Sequence, residues 1–366
     1  MNKIPIAKPF IDQNDEEAVV KVLRSGHLSL GPYYKQFESN MSAYVGTKYA
    51  SAVSSGTAGL HICVKSLGIN EGDEVITSPF SFIASANCLL YEKAKPIFID
   101  IDQTTYNFDA TRIEQAITEK TKAILVVHIF GQSADMDKVL EIAKKYNLRV
   151  IEDSCESLGS EYKGHKTGTM GDAGVFAFYP NKQMTTGEGG IIVTNSEEVY
   201  RLSNSLRNQG RSEGNDWLAH ERLGYNYRMD EMSAALGVTQ LSKLDWMIEQ
   251  KAQIASWYNE YLTDTPSIIT PKTDPNGTHS WFVYVVRITS GKRNKVMENL
   301  LAEGIQTKAY LPVIHLQPFM RKMFNFKEGD LPIAEEISSQ TLALPFYIGL
   351  KKEEVAYVCQ QLLKHL

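Results

Sequence analysis

The sequence predicts an α/β protein, a three-layer sandwich around a mostly parallel central sheet with a smaller C-terminal α/β domain. Three observations carry this. Through most of the first 200 residues, short apolar runs bounded by turn residues alternate with longer helical patterns, the rhythm of strands joined by crossover helices. A Pro-, Thr- and Asp-rich segment at 264–277 then interrupts the chain, and a further strand and two helical patterns follow it. At about 150 residues per domain, a length of 366 residues also suits two domains better than one.

In chain order, the expected strands are Tyr49–Val53, Glu74–Ser78, Pro96–Ile101, Ala123–Ile129, Arg149–Ile151, Gly174–Phe178 and Gly190–Thr194. Asp135–Tyr146 is the clearest helix. It has an acidic start, Val139, Leu140, Ile142 and Ala143 on one face, and Lys144-Lys145 where the helix dipole favours cations. Residues 230–262 read as one long helical stretch. Past the interruption, WFVYVVRI (281–288) is a strand, Lys292–Glu303 a helix and Tyr357–Leu366 a final amphipathic helix.

Composition excludes several classes of function. Apolar residues are 43% and charged residues 22%, values of a folding globular chain rather than a disordered one. Lys plus Arg number 38 against 43 Asp plus Glu, a net charge of −5 with no long run of either sign. No nucleic-acid or anionic-membrane surface is expected from that balance. The start, MNKIPIAKPFIDQNDEEAVV, lacks the apolar stretch of a signal peptide or anchor, and the expectation is a cytoplasmic protein. Cys63, Cys88, Cys155 and Cys359 form no CxxC pair and have no His at zinc-like spacing, so reduced thiols and no metal site are expected. The sequon Asn276-Gly277-Thr278 carries no weight without an export signal.

Three stretches carry chemistry. In GDAGVFAFYPNKQMTTGEGGIIVTN, Lys182 lies in a short loop between two apolar strands, where an ammonium is costly unless partnered or covalently used. A desolvated lysine is a good imine former. VIEDSCE ends a buried strand on Glu152 and Asp153, at the strand edge where open α/β sheets bind ligands; Asp153 or Ser154 capping the next turn is an equal alternative. Ser54-Ser55-Gly56-Thr57 precedes an amphipathic helix, an arrangement that suits a phosphate or an ordinary cap. It is neither a Walker loop nor GxGxxG, which counts against a nucleoside triphosphatase and a Rossmann dehydrogenase.

Together, and with SGHLSLGPYYKQFE, SSGTAGL, DEVITSPFSFIASAN, KPIFIDID, HIFGQSADM, LGYNYRMDEMSAALG and YLPVIHLQPF in one order along essentially the whole chain, these words resemble the DegT/DnrJ/EryC1/StrS family. Its members are pyridoxal-phosphate-dependent nucleotide-sugar aminotransferases of fold type I, the aspartate aminotransferase superfamily. The resemblance implies a large cofactor-binding domain with an N-terminal arm over 1–245 and a small domain over 246–366. It implies that Lys182 joins pyridoxal phosphate as an imine and later moves the proton, and that Asp153 pairs with the pyridinium nitrogen, keeping it protonated so that the ring accepts electrons. Phe82 matches the aromatic against the cofactor ring, Gly56 and Thr57 the phosphate cup, and Asn226 a phosphate contact from the neighbouring subunit of a homodimer. Glu156 lies near the cofactor's phenolic oxygen, either tuning the imine or bonding locally. Tyr310 and His315 match a C-terminal segment reaching towards substrate, with a purely structural histidine equally open.

Two positions bear on that likeness. The family often has Ser five residues before the lysine as a phosphate ligand, and here Ala177 stands there. Relatives with His for the lysine are dehydratases, so Lys182 favours transamination. The implied reaction moves an amino group from an amino acid, glutamate being the expected donor, to a nucleotide-diphosphate keto-sugar. The product would be an amino sugar for surface polysaccharide or a related glycan. The rivals are a pyridoxal-phosphate sugar dehydratase and a non-catalytic regulator that keeps the fold. Substrate choice is expected in loops at His27–Leu30 and 211–222.

Overall fold

The computed structural model describes residues 3–212 and 219–366. The central sheet is built from β1 (Tyr49–Val53), β2 (Glu74–Thr77), β3 (Lys95–Phe98), β4 (Thr121–Val127) and β5 (Arg149–Asp153). A hairpin of β6 (Glu161–Tyr162) and β7 (His165–Lys166) intervenes before the sheet is completed by β8 (Ala173–Ala177) and β9 (Gly190–Thr194). Spatial order is β1-β9-β8-β5-β4-β2-β3. Strands β8, β5, β4, β2 and β3 pair in parallel, while β9 runs antiparallel to both neighbours.

These strands are apolar on both faces because both are covered. Ala123, Leu125 and Val127 of β4 join Leu60 and Ile62 of helix Gly56–Ser66 and Cys88 and Leu89 of helix Ala84–Tyr91 in one core. Ile124 and Val126 join Val139 and Ile142 of helix Met136–Tyr146 in another. Side chains alternate across a strand, so a strand between two helical layers must be hydrophobic throughout. Helix Met136–Tyr146 starts where Asp135 accepts the Lys138 N–H and ends on left-handed Asn147.

The C-terminal sheet is β10 (Ile268–Ile269), β11 (Tyr284–Ile288) and β12 (Thr341–Leu344), all antiparallel. Helix Leu244–Leu262 belongs to two cores: Leu244 and Met247 pack with Phe178 and Ile191, whereas Ile254, Tyr258 and Leu262 pack with Tyr284 and Leu342. The N-terminal arm follows the same route, with Ile4 pairing with Ile305 and the Phe10 ring meeting Trp246 edge-on.

Several expected elements differ in extent. The stretch 230–262 is two helices, Glu231–Leu241 and Leu244–Leu262, broken at Ser242-Lys243. The strand expected over 281–288 begins at Tyr284, because Trp281 sits at a left-handed φ of 53° that no strand continues through. The last helix, Lys352–Lys364, starts five residues before its expected position at Tyr357.

Candidate active site

Parallel strands β4, β5 and β8 all end at one edge, which sets the loops that follow them side by side. The β8–β9 loop is closed on itself. The Phe178 carbonyl accepts from the Thr186 N–H at 3.0 Å and the Thr185 hydroxyl at 2.9 Å, and the Lys182 N–H donates to the Tyr179 carbonyl at 2.9 Å. This turn aims the Lys182 side chain, 13% exposed, between a carboxylate and an aromatic face. Its Nζ is 3.5 Å from Glu156 Oε1 and 4.2 Å from the centroid of the Phe282 ring. The amine is thus held loosely, by a long ion pair and a cation–π contact.

Glu156 is itself fixed. Its Oε2 accepts the Phe130 N–H at 3.1 Å, and its main-chain carbonyl accepts from the Gln183 amide. Burial pushes its carboxyl above the ordinary range, with the Lys182 charge pulling the other way. Tyr310 closes this side: its ring lies near Phe130 and Phe282, and its hydroxyl accepts from Asn181 at 3.4 Å. Burial, then the Glu156 charge, raises the phenol.

At the end of β5 the two carboxylates part company. Asp153 shares its face with Ile151, whose core holds helices Gly56–Ser66 and Ala84–Tyr91; its Oδ2 accepts from Ser85 Oγ at 2.7 Å and its Oδ1 from the Cys155 N–H at 3.2 Å. Ser85 is in turn 2.7 Å from Ser81 Oγ. Glu152 shares the face of Val150 and points the opposite way, where it accepts from Gly168, Met170, Gly171 and His128. The sequence expectation of two ligand-facing carboxylates is therefore corrected: period-2 alternation puts only Asp153 on the site side, and Glu152 is a structural acceptor.

Gly56 opens helix Gly56–Ser66 beside β8. Ser55 caps it by accepting the Ala58 N–H at 3.1 Å, and the N–H groups of Gly56 and Thr57 have no acceptor among the described residues. A Cβ on Gly56 would lie 2.7 Å from the Ala177 Cβ and 2.9 Å from Cys155 Sγ, so only glycine lets the helix come this close. Gly190 is as constrained, since a Cβ there would meet the Ser55 main chain at 2.6 Å. Phe82, three residues before Ser85, is 60% exposed.

Asn226 lies on an extended segment joined to this cup, with the Tyr227 carbonyl accepting the Ser54 N–H at 2.8 Å. Its neighbours turn inward: Tyr225 donates to Glu92 at 3.0 Å, and the Tyr227 hydroxyl is 3.3 Å from His61 Nδ1. Alternation then leaves the Asn226 side chain outward, and the residue is exposed.

The structure thus brings together Lys182, Glu156, Tyr310, Asp153, Gly56 and Thr57 at one sheet edge. It does not bring His315 there. That residue is fully buried, 3.0 Å from Glu335 Oε1 and packed against Phe98 and Phe326, which corrects the expectation that it reaches towards substrate. Of the loop 211–222, residues 213–218 lie outside the described residues. Sequence reasoning missed Phe282, Phe130 and Ser85, which reach the site from distant segments; Ser85 lies four residues after Ser81, a bend residue ahead of helix Ala84–Tyr91, and no local period signals the pair.

A loosely held amine, a separately anchored carboxylate and a helix start with two open N–H groups at the carboxyl edge of a mostly parallel sheet define a lysine-centred group-transfer enzyme of the mixed α/β class. The chain belongs to the DegT/DnrJ/EryC1/StrS aminotransferase family, whose sequence model matches residues 9–363. It is similar to the GDP-perosamine synthase of Escherichia coli O157:H7, at 37% identity over 99% of this chain and 98% of that one. The spore coat polysaccharide biosynthesis protein SpsC of Bacillus subtilis is also 37% identical, over 96% and 94%. Among solved structures, Helicobacter pylori PseC, an aminotransferase involved in the biosynthesis of pseudoaminic acid, superposes with a TM-score of 0.94 at 29% identity, covering 100% of this chain and 99% of that one.

Proposed function

We propose that this enzyme moves an amino group from an amino acid, with glutamate as donor, to a nucleotide-diphosphate-linked keto-sugar, using pyridoxal phosphate held at Lys182. The observation that carries the reading is the Lys182 amine, largely buried yet held loosely by a 3.5 Å contact with Glu156 and the face of Phe282, opening on the same edge as Asp153 and the helix start at Gly56. The residues fit the cofactor. The free N–H groups of Gly56 and Thr57 suit a phosphate, and Asp153, fixed by Ser85 and the Cys155 N–H, suits a protonated ring nitrogen. Glu156 suits the phenolic oxygen, and Phe82 offers a ring face. Pyridoxal phosphate, when bound, supplies an electron sink for the carbon that loses its proton.

The chain's own residues do the rest. With the cofactor bound, Lys182 Nζ would take the proton from the reacting carbon and return it. Asp153, held by Ser85 and the Cys155 N–H, would pair with the ring nitrogen, and Tyr310 with Phe282 walls the reacting side from water. His315 serves the fold. Asn226, outward on its own chain and joined to the phosphate cup, is assigned to the site of a second subunit, so the enzyme works as a homodimer with shared sites. A large domain over 1–245, a small one over 246–366 and a cytoplasmic location go with this reading. No helix among the described residues is long and apolar enough to cross a membrane. The relatives named for perosamine and spore-coat polysaccharide support an amino-sugar product for a surface glycan.

Incubating the protein with glutamate and a panel of nucleotide keto-sugars tests the reaction, with the product read by mass. Borohydride reduction and peptide mapping should leave the cofactor on Lys182; label on another lysine, or none, sinks the assignment. The shared site is tested by mixing Lys182→Ala with Asn226→Asp chains. A two-fold heterodimer places both defects in one site and leaves the other intact, so activity should return, and no recovery would remove the claim about Asn226.

A further inference from the structure

Glu92 follows helix Ala84–Tyr91, and three donors converge on its largely buried carboxylate. Oε1 accepts from His61 Nε2 at 2.8 Å and from the Tyr225 hydroxyl at 3.0 Å, and Oε2 accepts from Lys65 Nζ at 2.8 Å. His61 and Lys65 are one turn apart on helix Gly56–Ser66, and His61 is one turn beyond Thr57. With its Nε2 proton directed at Glu92, His61 accepts at Nδ1 from the Tyr227 hydroxyl at 3.3 Å. The Tyr225 and Tyr227 rings stack 5.0 Å apart at an interplanar angle of 10°, and the His61 ring lies 4.7 Å from that of Tyr225.

Tyr225 and Tyr227 are the two neighbours of Asn226. Main-chain bonds hold their segment to the end of helix Glu197–Arg207 and to the residues just past it: the Tyr227 N–H donates to the Arg207 carbonyl at 2.9 Å, and the Tyr225 carbonyl accepts the Gln209 N–H at 2.8 Å. Neither bond reaches the helix that opens at Gly56 and Thr57. The two hydroxyls do, one through His61 and the other through Glu92, which His61 and Lys65 hold to that helix. A largely buried carboxylate is a poor source of stability, because its desolvation offsets most of what its partners return. Its geometry is specific, however: one side chain fixes how far the Asn226 segment stands from the helix behind Thr57.

We propose that Glu92 is a positioning residue for Asn226, clasping Tyr225 to helix Gly56–Ser66 so that the outward amide is presented at a fixed place to the cofactor phosphate of a second subunit. The inference rests on the reading of Lys182 as the cofactor's anchor and of Asn226 as a contact across subunits. The same clasp then joins the phosphate helix of one site to the residue lent to the other.

The test titrates cofactor-free full-length protein, by visible absorbance, with pyridoxal phosphate and with pyridoxal, which lacks the phosphate. Asn226→Ala removes the contact itself and should weaken pyridoxal phosphate binding about tenfold or more. Tyr225→Phe keeps the stacked ring and breaks its tie to Glu92, and Glu92→Gln leaves one acceptor oxygen for three donors. Each should weaken pyridoxal phosphate binding about three- to tenfold, leave pyridoxal binding as in the parent, and add nothing further when combined with Asn226→Ala. A merely structural clasp would lower the melting temperature and weaken both ligands alike, or cost the same with and without Asn226. Either result overturns the proposal, as does parent-like binding of pyridoxal phosphate by both variants. A parent that binds no pyridoxal phosphate, or an Asn226→Ala protein that binds it like the parent, overturns the proposed cofactor or the proposed role of Asn226 instead, and this inference with it.

Discussion

Replacing Glu152 by Gln changes one atom in a side chain with no solvent exposure, and the structure sets the cost. Glu152 Oε1 accepts the Met170 and Gly171 N–H groups at 2.7 and 2.6 Å; Oε2 accepts the Gly168 N–H at 2.7 Å and His128 Nε2 at 2.9 Å. His128 Nδ1 accepts the Ala134 N–H at 3.1 Å, which assigns the ring proton to Nε2 and makes His128 a fourth donor. Whichever oxygen becomes an NH₂, two donors then face a donor. His128 cannot switch tautomer without setting a second N–H against Ala134. Two buried unsatisfied donors cost about 2–6 kcal/mol at about 1–3 kcal/mol each. With an unfolding entropy of about 2.1 cal/mol/K per residue, a chain of 366 residues should melt about 3–8 °C lower. Thermal unfolding of the cofactor-free protein, followed by circular dichroism or calorimetry, measures this. A melting temperature within a degree of the parent's would refute the reasoning. So would a loss of amino transfer with unchanged stability, because that would mean Glu152 belongs to the chemistry.

Asp153→Asn should keep the fold and lose most of the amino-transfer rate, since an amide cannot hold the ring proton; parent-like turnover of the cofactor-bound variant would reduce Asp153 to a cap. Gly190→Ala drives a Cβ to 2.6 Å from the Ser55 main chain and should cost about 1–3 kcal/mol along with cofactor affinity, read by melting and by titration with pyridoxal phosphate. Phe82→Ala should weaken cofactor retention, by on the order of 1 kcal/mol beyond lost area, without abolishing chemistry, as dialysis followed by absorbance would show. Burial lowers His279 from 6.5 to about 3, and its Nδ1 accepts the Trp281 N–H. A neutral folded form means its stabilisation is full above 6.5 and lost as pH falls from there towards 3, so a pH series of melting curves should decline over that window and flatten in His279→Gln.

The sequence was most readable where local pattern and tertiary demand coincide. Tyr49–Val53 and Gly190–Thr194 match their strands to the residue, being short β-formers cut off by Ser-Ser-Gly, Gly-Gly and Asn. β12 and helices Pro318–Phe324 and Pro332–Gln340 went unread, because a four-residue run such as Thr341–Leu344 shows no period of its own and is a strand only through pairing with β11. The final helix hides its first turn in Lys352-Glu353-Glu354, residues that face water. In the site, Lys182 and Asp153 announce themselves by position, a lysine between apolar strands and an acid at a strand end. Phe282 and Lys251 meet Lys182 from 100 and 69 residues away along the chain, a proximity no local spacing encodes. The face of Glu152 was available, since the alternation that puts Ile151 with Asp153 also puts Val150 with Glu152.

The place of β9 in the sheet sets an order of events during synthesis. β1 leaves the ribosome first among the strands, yet its only partner in the sheet is β9, Tyr49 opposite Thr194. Until residue 194 has emerged, β1 has no strand to pair with, and helix Gly56–Ser66, which packs on β8 and β9, lacks most of its floor. The arm is later still, because Ile4 waits for Ile305. Contacts this distant along the chain make folding slow. The helix start at Gly56 is therefore assembled from the earliest and latest parts of the large sheet, and the residues made first are among the last to find their place.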